Sequence, residues 1–114
     1  MLKKDFRLKE KEDFDRVFHE GKPLFLGILG CRIAKNELSH LRLGFSLSKK
    51  HFPLAIERNY VRRVISEAVA GSLWEGVRGQ GVDIVFFSLK KGKKIDFQEF
   101  QKRGREVAKV ISQL

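Results

Sequence analysis

Residues 41–70 read LRLGFSLSKKHFPLAIERNYVRRVISEAVA, and this stretch decides the fold. Its first seven residues alternate. Leu41, Leu43, Phe45 and Leu47 share one side, and Arg42, Gly44 and Ser46 share the other, which is the pattern of a half-buried strand. The side away from the core is small and basic. Pro53 then suits the first turn of a helix that runs to about Ala70, with Gly71 as its stop. Wound at about 100° per residue, the helix gathers Leu54, Val61, Val64, Ile65, Ala68 and Val69 on one arc as its core face. Ala55, Arg58, Asn59, Arg62, Arg63 and Ser66 fall on the adjoining arc, so the cations form one stripe and do not ring the helix. Glu57 lies in the first turn, where the helix dipole favours an acid. Glu67 and Tyr60 sit on the other flank.

Upstream, Phe14, Val17 and Phe18 are spaced i, i+3, i+4 in a helix predicted over 9–20, stopped by Gly21. Residues 24–34, LFLGILGCRIA, follow Pro23 and carry Gly27 and Gly30, so they read as a strand. Downstream, the Gly-rich residues 72–81 read as a loop and 82–89, VDIVFFSL, as a strand. Asp96 and Glu99 form a capping box for a last helix, whose apolar stripe is Phe100, Val107, Val110, Ile111 and Leu114. The order is α-β-β-α-β-α, with room for one further short strand near 22–26. An α+β sandwich of one sheet with packed helices is expected.

With 114 residues, 42% of them hydrophobic, the chain is one domain able to bury a core. The net charge of +10 points to a polyanionic partner, nucleic acid before membrane. The excess is local. Residues 42–63 hold Arg42, Lys49, Lys50, Arg58, Arg62 and Arg63 against Glu57 alone, whereas cations and acids balance over residues 1–21. Arginines can grip phosphate through paired N–H donors, and Asn59 can bond a phosphate, a ribose hydroxyl or a base edge. Ser46, Ser48, Lys49 and Lys50 leave the strand beside the same stripe. Lys90, Lys91, Lys93 and Lys94, around Gly92, read as a solvated face.

Other chemistries are poorly served. Single Cys31 excludes a disulfide framework and reads as a buried small hydrophobe. His19, His40 and His51 lack ligand spacing, and no His or Asp is arranged about Ser46 or Ser48 as in a hydrolytic triad. Glycines 76, 79 and 81 lack the strand–loop–helix order of a phosphate loop. No apolar run approaches a membrane span, and Met1–Asp5 has no apolar signal region, so a soluble, cytoplasmic protein is expected.

The segment Leu43-Gly44-Phe45-Ser46-Leu47-Ser48-Lys49-Lys50, then Ala55-Ile56-Glu57-Arg58-Asn59-Tyr60-Val61-Arg62-Arg63 and Glu67-Ala68, resembles the protein subunit of bacterial ribonuclease P. Arg7-Leu8-Lys9, Glu12-Asp13-Phe14, Val17-Phe18 and Gly21 match that family's start. The resemblance implies an α-β-β-β-α-β-α sandwich similar to the second domain of ribosomal protein S5, with a left-handed βαβ crossover. It implies 5′ maturation of precursor tRNA, with cleavage by an RNA subunit and its Mg²⁺, and with the protein alone inactive. It assigns Lys49, Lys50, Arg58, Asn59, Arg62 and Arg63 to the catalytic RNA. Phe14 and Phe18, with Arg42 and Ser46, would line a cleft for the 5′ leader. By spacing alone Phe14 and Phe18 read as core residues, and only the resemblance places them in a cleft.

The chain departs from the family in three places. Tyr60 and Ser66 stand where arginines are usual, and Gly30, Cys31 and Arg32 occupy a strand that often carries an aromatic. A weaker grip on RNA and less base stacking are expected, at about 1–3 kcal/mol per lost stack. Two other readings use the same residues: an RNA-binding module that does not aid cleavage, and a protein-only nuclease. The second needs carboxylates converging on Mg²⁺, but the acids gather at 10–20 on a solvated helix face.

Overall fold

The computed structural model describes residues 4–91 and 95–114. Helix α1 (Lys11–Glu20) leads into strands β1 (Lys22–Leu26), β2 (Leu29–Lys35) and β3 (Arg42–Ser46). Then come α2 (Ala55–Val69), the short α3 (Glu75–Arg78), β4 (Val82–Ser88), α4 (Phe97–Lys102) and α5 (Gly104–Ser112). The sheet order is β1-β2-β4-β3. β2 runs antiparallel to both its neighbours, whereas β3 and β4 are parallel, so α2 lies on a crossover connection.

Alternation along the strands divides the core in two. Leu29, Cys31, Ile33, Leu43, Ile84 and Phe86 point to one face and pack with Val61, Ile65, Ala68 and Val69 of α2, Phe100 of α4 and Val107 of α5. The other face is covered only in part. There Ala34 and Val85 meet Val17 of α1 and Leu8.

Several sequence expectations need correction. Residues 24–34 are not one strand. They form the end of β1, a turn and most of β2, in register Leu26↔Leu29. Gly27 makes that turn with φ +76°, a conformation costly for any residue with a Cβ. The expected loop at 72–81 holds a 3₁₀ turn, Ser72–Trp74, and α3. Trp74 and Val77 are fully buried there, so two large apolar side chains outweigh the local glycines. The last helix is two. Asp96 caps α4 by accepting from the backbone N–H groups of Gln98 and Glu99, and the chain breaks at Arg103. Gly104 sits under Trp74, where a Cβ would lie 2.9 Å from the indole ring. On α2, Leu54 leaves the core face. It is the N-cap residue, 59% exposed, and its N–H donates to Glu57. Ser66, placed on the polar arc, is instead 6% exposed. The predicted lysine cluster is described only at Lys90 and Lys91, both exposed; its remainder lies outside the described residues.

Candidate nucleic-acid interface

Two surfaces carry the residues singled out by sequence. The first is the polar arc of α2 with the loop before it. Lys49, Lys50, Asn59 and Arg63 are exposed, and Arg58 and Arg62 are half-buried. The loop is set by local bonds. Ser48 accepts from the Lys50 N–H, and the Ser48 N–H donates to the Ser88 hydroxyl, which also lies 3.0 Å from His51 Nδ1. Lys49 and Lys50 are thereby presented at the end of β3 beside α2.

No carboxylate pairs with any cation of this surface among the described residues. Arg58 donates to the carbonyls of Phe52 and Pro53, which fixes its side chain and leaves its charge uncompensated. Arg62 donates to Asn59 Oδ1 at 3.0 Å. The Arg63 guanidinium lies 5.5 Å from the centre of the Tyr60 ring. Tyr60, expected to weaken the patch, thus supports a neighbouring cation.

The second surface is the part of the sheet that α1 leaves open. Phe14 and Phe18 divide their roles. The Phe14 ring packs on β3 at Gly44, where a Cβ would lie 2.7 Å from it. Phe18 is 37% exposed and meets Phe87 with ring centres 5.6 Å apart. Strand pairing sets Phe25, Gly30, Phe87 and Ser46 in one row across all four strands, on the side of Phe18. Phe25 is 64% exposed. The missing aromatic at Gly30 is therefore made good from both sides, by Phe25 and Phe87. Gly30 itself admits the Phe87 ring, since a Cβ would come within 2.7 Å of it. Alternation in 82–89 puts Phe87 opposite Phe86. No local signal reveals that Phe25 and Phe18 join it.

Arg42 also lies on this face, but its guanidinium is engaged. Its Nε and Nη2 donate to the two carboxylate oxygens of Asp83, both at 2.8 Å. Arg16 of α1 bonds the same carboxylate, and Asn36 donates to it at 2.9 Å. Asp83 has no solvent exposure. Burial alone would raise its pKa, but hydrogen bonds from Arg42 and Asn36 and the nearby arginine charges outweigh it, and the carboxyl sits below its ordinary value. Hydrogen bonding to Asp83 correspondingly raises the Arg42 pKa. Asp83 is the residue that sequence reading missed: a lone acid in an apolar strand pattern was its one signal. Cys31 is buried, and burial pushes its thiol up to about 12, which suits a core residue.

The geometry defines a class: a small basic α+β domain with a helix-borne cationic stripe and an open, Phe-rich sheet face. The Ribonuclease P family model matches residues 2–113, and the chain belongs to that family. It is 36% identical over 102 residues to the ribonuclease P protein component of Clostridioides difficile (strain 630), covering 90% of this chain and 88% of the relative. The ribonuclease P protein component of Streptococcus pneumoniae (strain Hungary19A-6) is 29% identical over 109 residues, or 96% of this chain and 86% of that one. Among solved structures, the Staphylococcus aureus RNase P protein superposes with a TM-score of 0.72 at 26% identity, covering 93% of this chain and 94% of that chain. The Thermotoga maritima RNase P protein gives 0.71 at 28% identity, covering 95% and 96%. Among the described residues no helix is long and apolar enough to cross a membrane.

Proposed function

We propose that the chain is the RNA-gripping subunit of a ribonuclease P that removes the 5′ leader of precursor tRNA in the cytoplasm. Lys49, Lys50, Arg58, Asn59, Arg62 and Arg63 hold the catalytic RNA. Phe18, with Phe25, Phe87 and Ser46, holds the single-stranded leader, whose bases stack on flat apolar rings. Arg42 anchors α1 beside that surface through Asp83. The observation that carries this reading is the contrast within one small domain: a cationic stripe without carboxylate partners lies near an exposed aromatic row.

The cleavage chemistry belongs to the RNA. Among the described residues no group of three His, Cys, Asp or Glu side chains stands together. The ion would be held by the RNA subunit and the substrate. The likeness to the second domain of ribosomal protein S5 and the left-handed sense of the β3–α2–β4 crossover belong to the same reading.

Reconstitution with a bacterial ribonuclease P RNA at low Mg²⁺ tests it. The protein is expected to raise cleavage of precursor tRNA at the 5′ end of the mature sequence. Binding without added cleavage would make it a binding module only. Cleavage by protein freed of RNA would overturn the assignment of the chemistry.

A further inference from the structure

The chain leaving β3 is tied to β4 beyond the point where their backbones pair. Ser46 is the last β3 residue in register, opposite Phe87. Two positions on, the Ser48 N–H donates to the Ser88 hydroxyl at 2.9 Å, so a side chain continues the hold where the ladder has ended. A hydroxyl has one proton to give and two lone pairs that accept. The Ser88 oxygen can therefore also bond His51 Nδ1, 3.0 Å away, whichever of the two carries the shared proton. One hydroxyl thus grips the loop at residue 48 and again at residue 51.

Ser48 passes that hold to the cations. Its carbonyl accepts from the N–H groups of His51 and Phe52 at 3.2 and 2.9 Å, and its hydroxyl accepts from the Lys50 N–H at 3.0 Å. The N–H, carbonyl and hydroxyl of Ser48 are all engaged in closing one turn, with Lys49 and Lys50 exposed at its tip. The far end is fixed separately. Phe52 is buried in the core, and Arg58 donates to its carbonyl at 2.7 Å. Ser88 itself carries no charge and stands outside the basic stretch, 40 residues from Ser48, so no local pattern singles it out. What it supplies is order in advance. A turn set before contact loses less conformational entropy on binding than one that its ligand must order.

We infer that Ser88 is a positioning residue, whose hydroxyl holds Lys49 and Lys50 in the geometry in which they act on the catalytic RNA. This rests on the role proposed above for the two lysines, so the clamp is first measured on the protein alone. Ser88→Thr and Ser88→Val have the same shape and differ in the hydroxyl. Hydrogen exchange at the Ser48 amide should quicken about tenfold in Ser88→Val and stay within about twofold of the parent in Ser88→Thr. Ser88→Ala, which adds no bulk, should repeat the Ser88→Val result, with melting followed in all three variants.

Affinity for a bacterial ribonuclease P RNA is then measured with the same proteins. It should fall about fivefold to tenfold in Ser88→Ala and Ser88→Val, as for one lost hydrogen bond, and hold within about twofold in Ser88→Thr. With Lys49→Ala and Lys50→Ala already in place, Ser88→Ala should weaken binding by less than about twofold more, because the groups it positions are gone. A general structural role predicts the same loss in both backgrounds, and that result would overturn the inference. So would an unchanged Ser48 exchange rate in Ser88→Ala, or faster exchange with RNA affinity unchanged. If Lys49→Ala with Lys50→Ala leaves RNA affinity at the parent value, the role proposed for the lysines fails, and Ser88's part in RNA binding falls with it. The exchange rates on the protein alone tell that failure apart from the absence of a clamp.

Discussion

Arg42 and Arg63 bracket the same basic stretch of sequence, yet the fold puts them to opposite uses. On the α1 side, Arg42 and Arg16 converge on Asp83, a carboxylate with no exposure. On the α2 side, among the described residues, Arg62 meets an amide oxygen and Arg63 an aromatic ring, with no carboxylate. The first arrangement neutralises its cations and ties a helix to the sheet. The second holds its cations in place with their charge uncompensated. A count of arginines therefore says little about a binding surface until their partners are known.

The largest effect expected from breaking this contrast is at Asp83. Asp83→Ala leaves Arg42 and Arg16 with Asp13 as their remaining shared anion, at 3.6 and 3.7 Å, and removes charged hydrogen bonds worth about 1.5–3 kcal/mol each. Urea denaturation checks the value, and a loss below about 1 kcal/mol would show that the knot does not anchor α1. The same group sets an acid limit. Its folded pKa lies below the unfolded value of about 3.9, so its stabilisation is complete above roughly pH 4 and fades as the pH falls towards the folded value. Asp83→Asn should lack that component of the stability–pH profile below about pH 4.

A smaller effect, read in RNA binding, separates the two regions directly. If the stripe neutralises about four to six phosphates, log affinity should fall against log salt with a slope on the order of −4 to −5. Arg63→Ala should flatten that slope by about one unit, and Arg42→Gln should leave it unchanged at temperatures where the variant is folded. Equal flattening by both would mean that the Asp83 knot opens onto RNA.

The smallest expected effect concerns the aromatic row. Phe18→Ala should weaken a precursor tRNA with a leader of several nucleotides by about 1–3 kcal/mol, while leaderless tRNA binds unchanged. Phe14→Ala should lower the melting temperature more than Phe18→Ala does, because Phe14 packs on Gly44. Equal losses for both substrates with Phe18→Ala would make that residue core and not cleft.

Much of the frame is legible in residue order. The alternation at 41–47, the apolar arc of α2, the Asp96 cap and the excess of cations over acids at 42–63 are properties of neighbours a few positions apart, and local pattern exposes them. Where local pattern and distant packing compete, the reading fails. Residues 72–81 look like a loop by their glycines, but Trp74 and Val77 are drawn into a core built by α2, α4 and α5. Ser66 looks exposed by its chemistry, but the elements around it bury it.

By itself, then, the sequence determined the α+β class, the helix that carries the stripe and the family resemblance, because each depends on spacing along one element. Tertiary structure alone decided which cations stay uncompensated. Asp83 reaches Arg42 across 41 residues and Arg16 across 67, through strand pairings that no local pattern encodes. The same pairings assemble Phe25, Gly30, Phe87 and Ser46 into one row. Partner choice between distant strands is set by the burial of whole faces at once, so it exists only when the chain is folded.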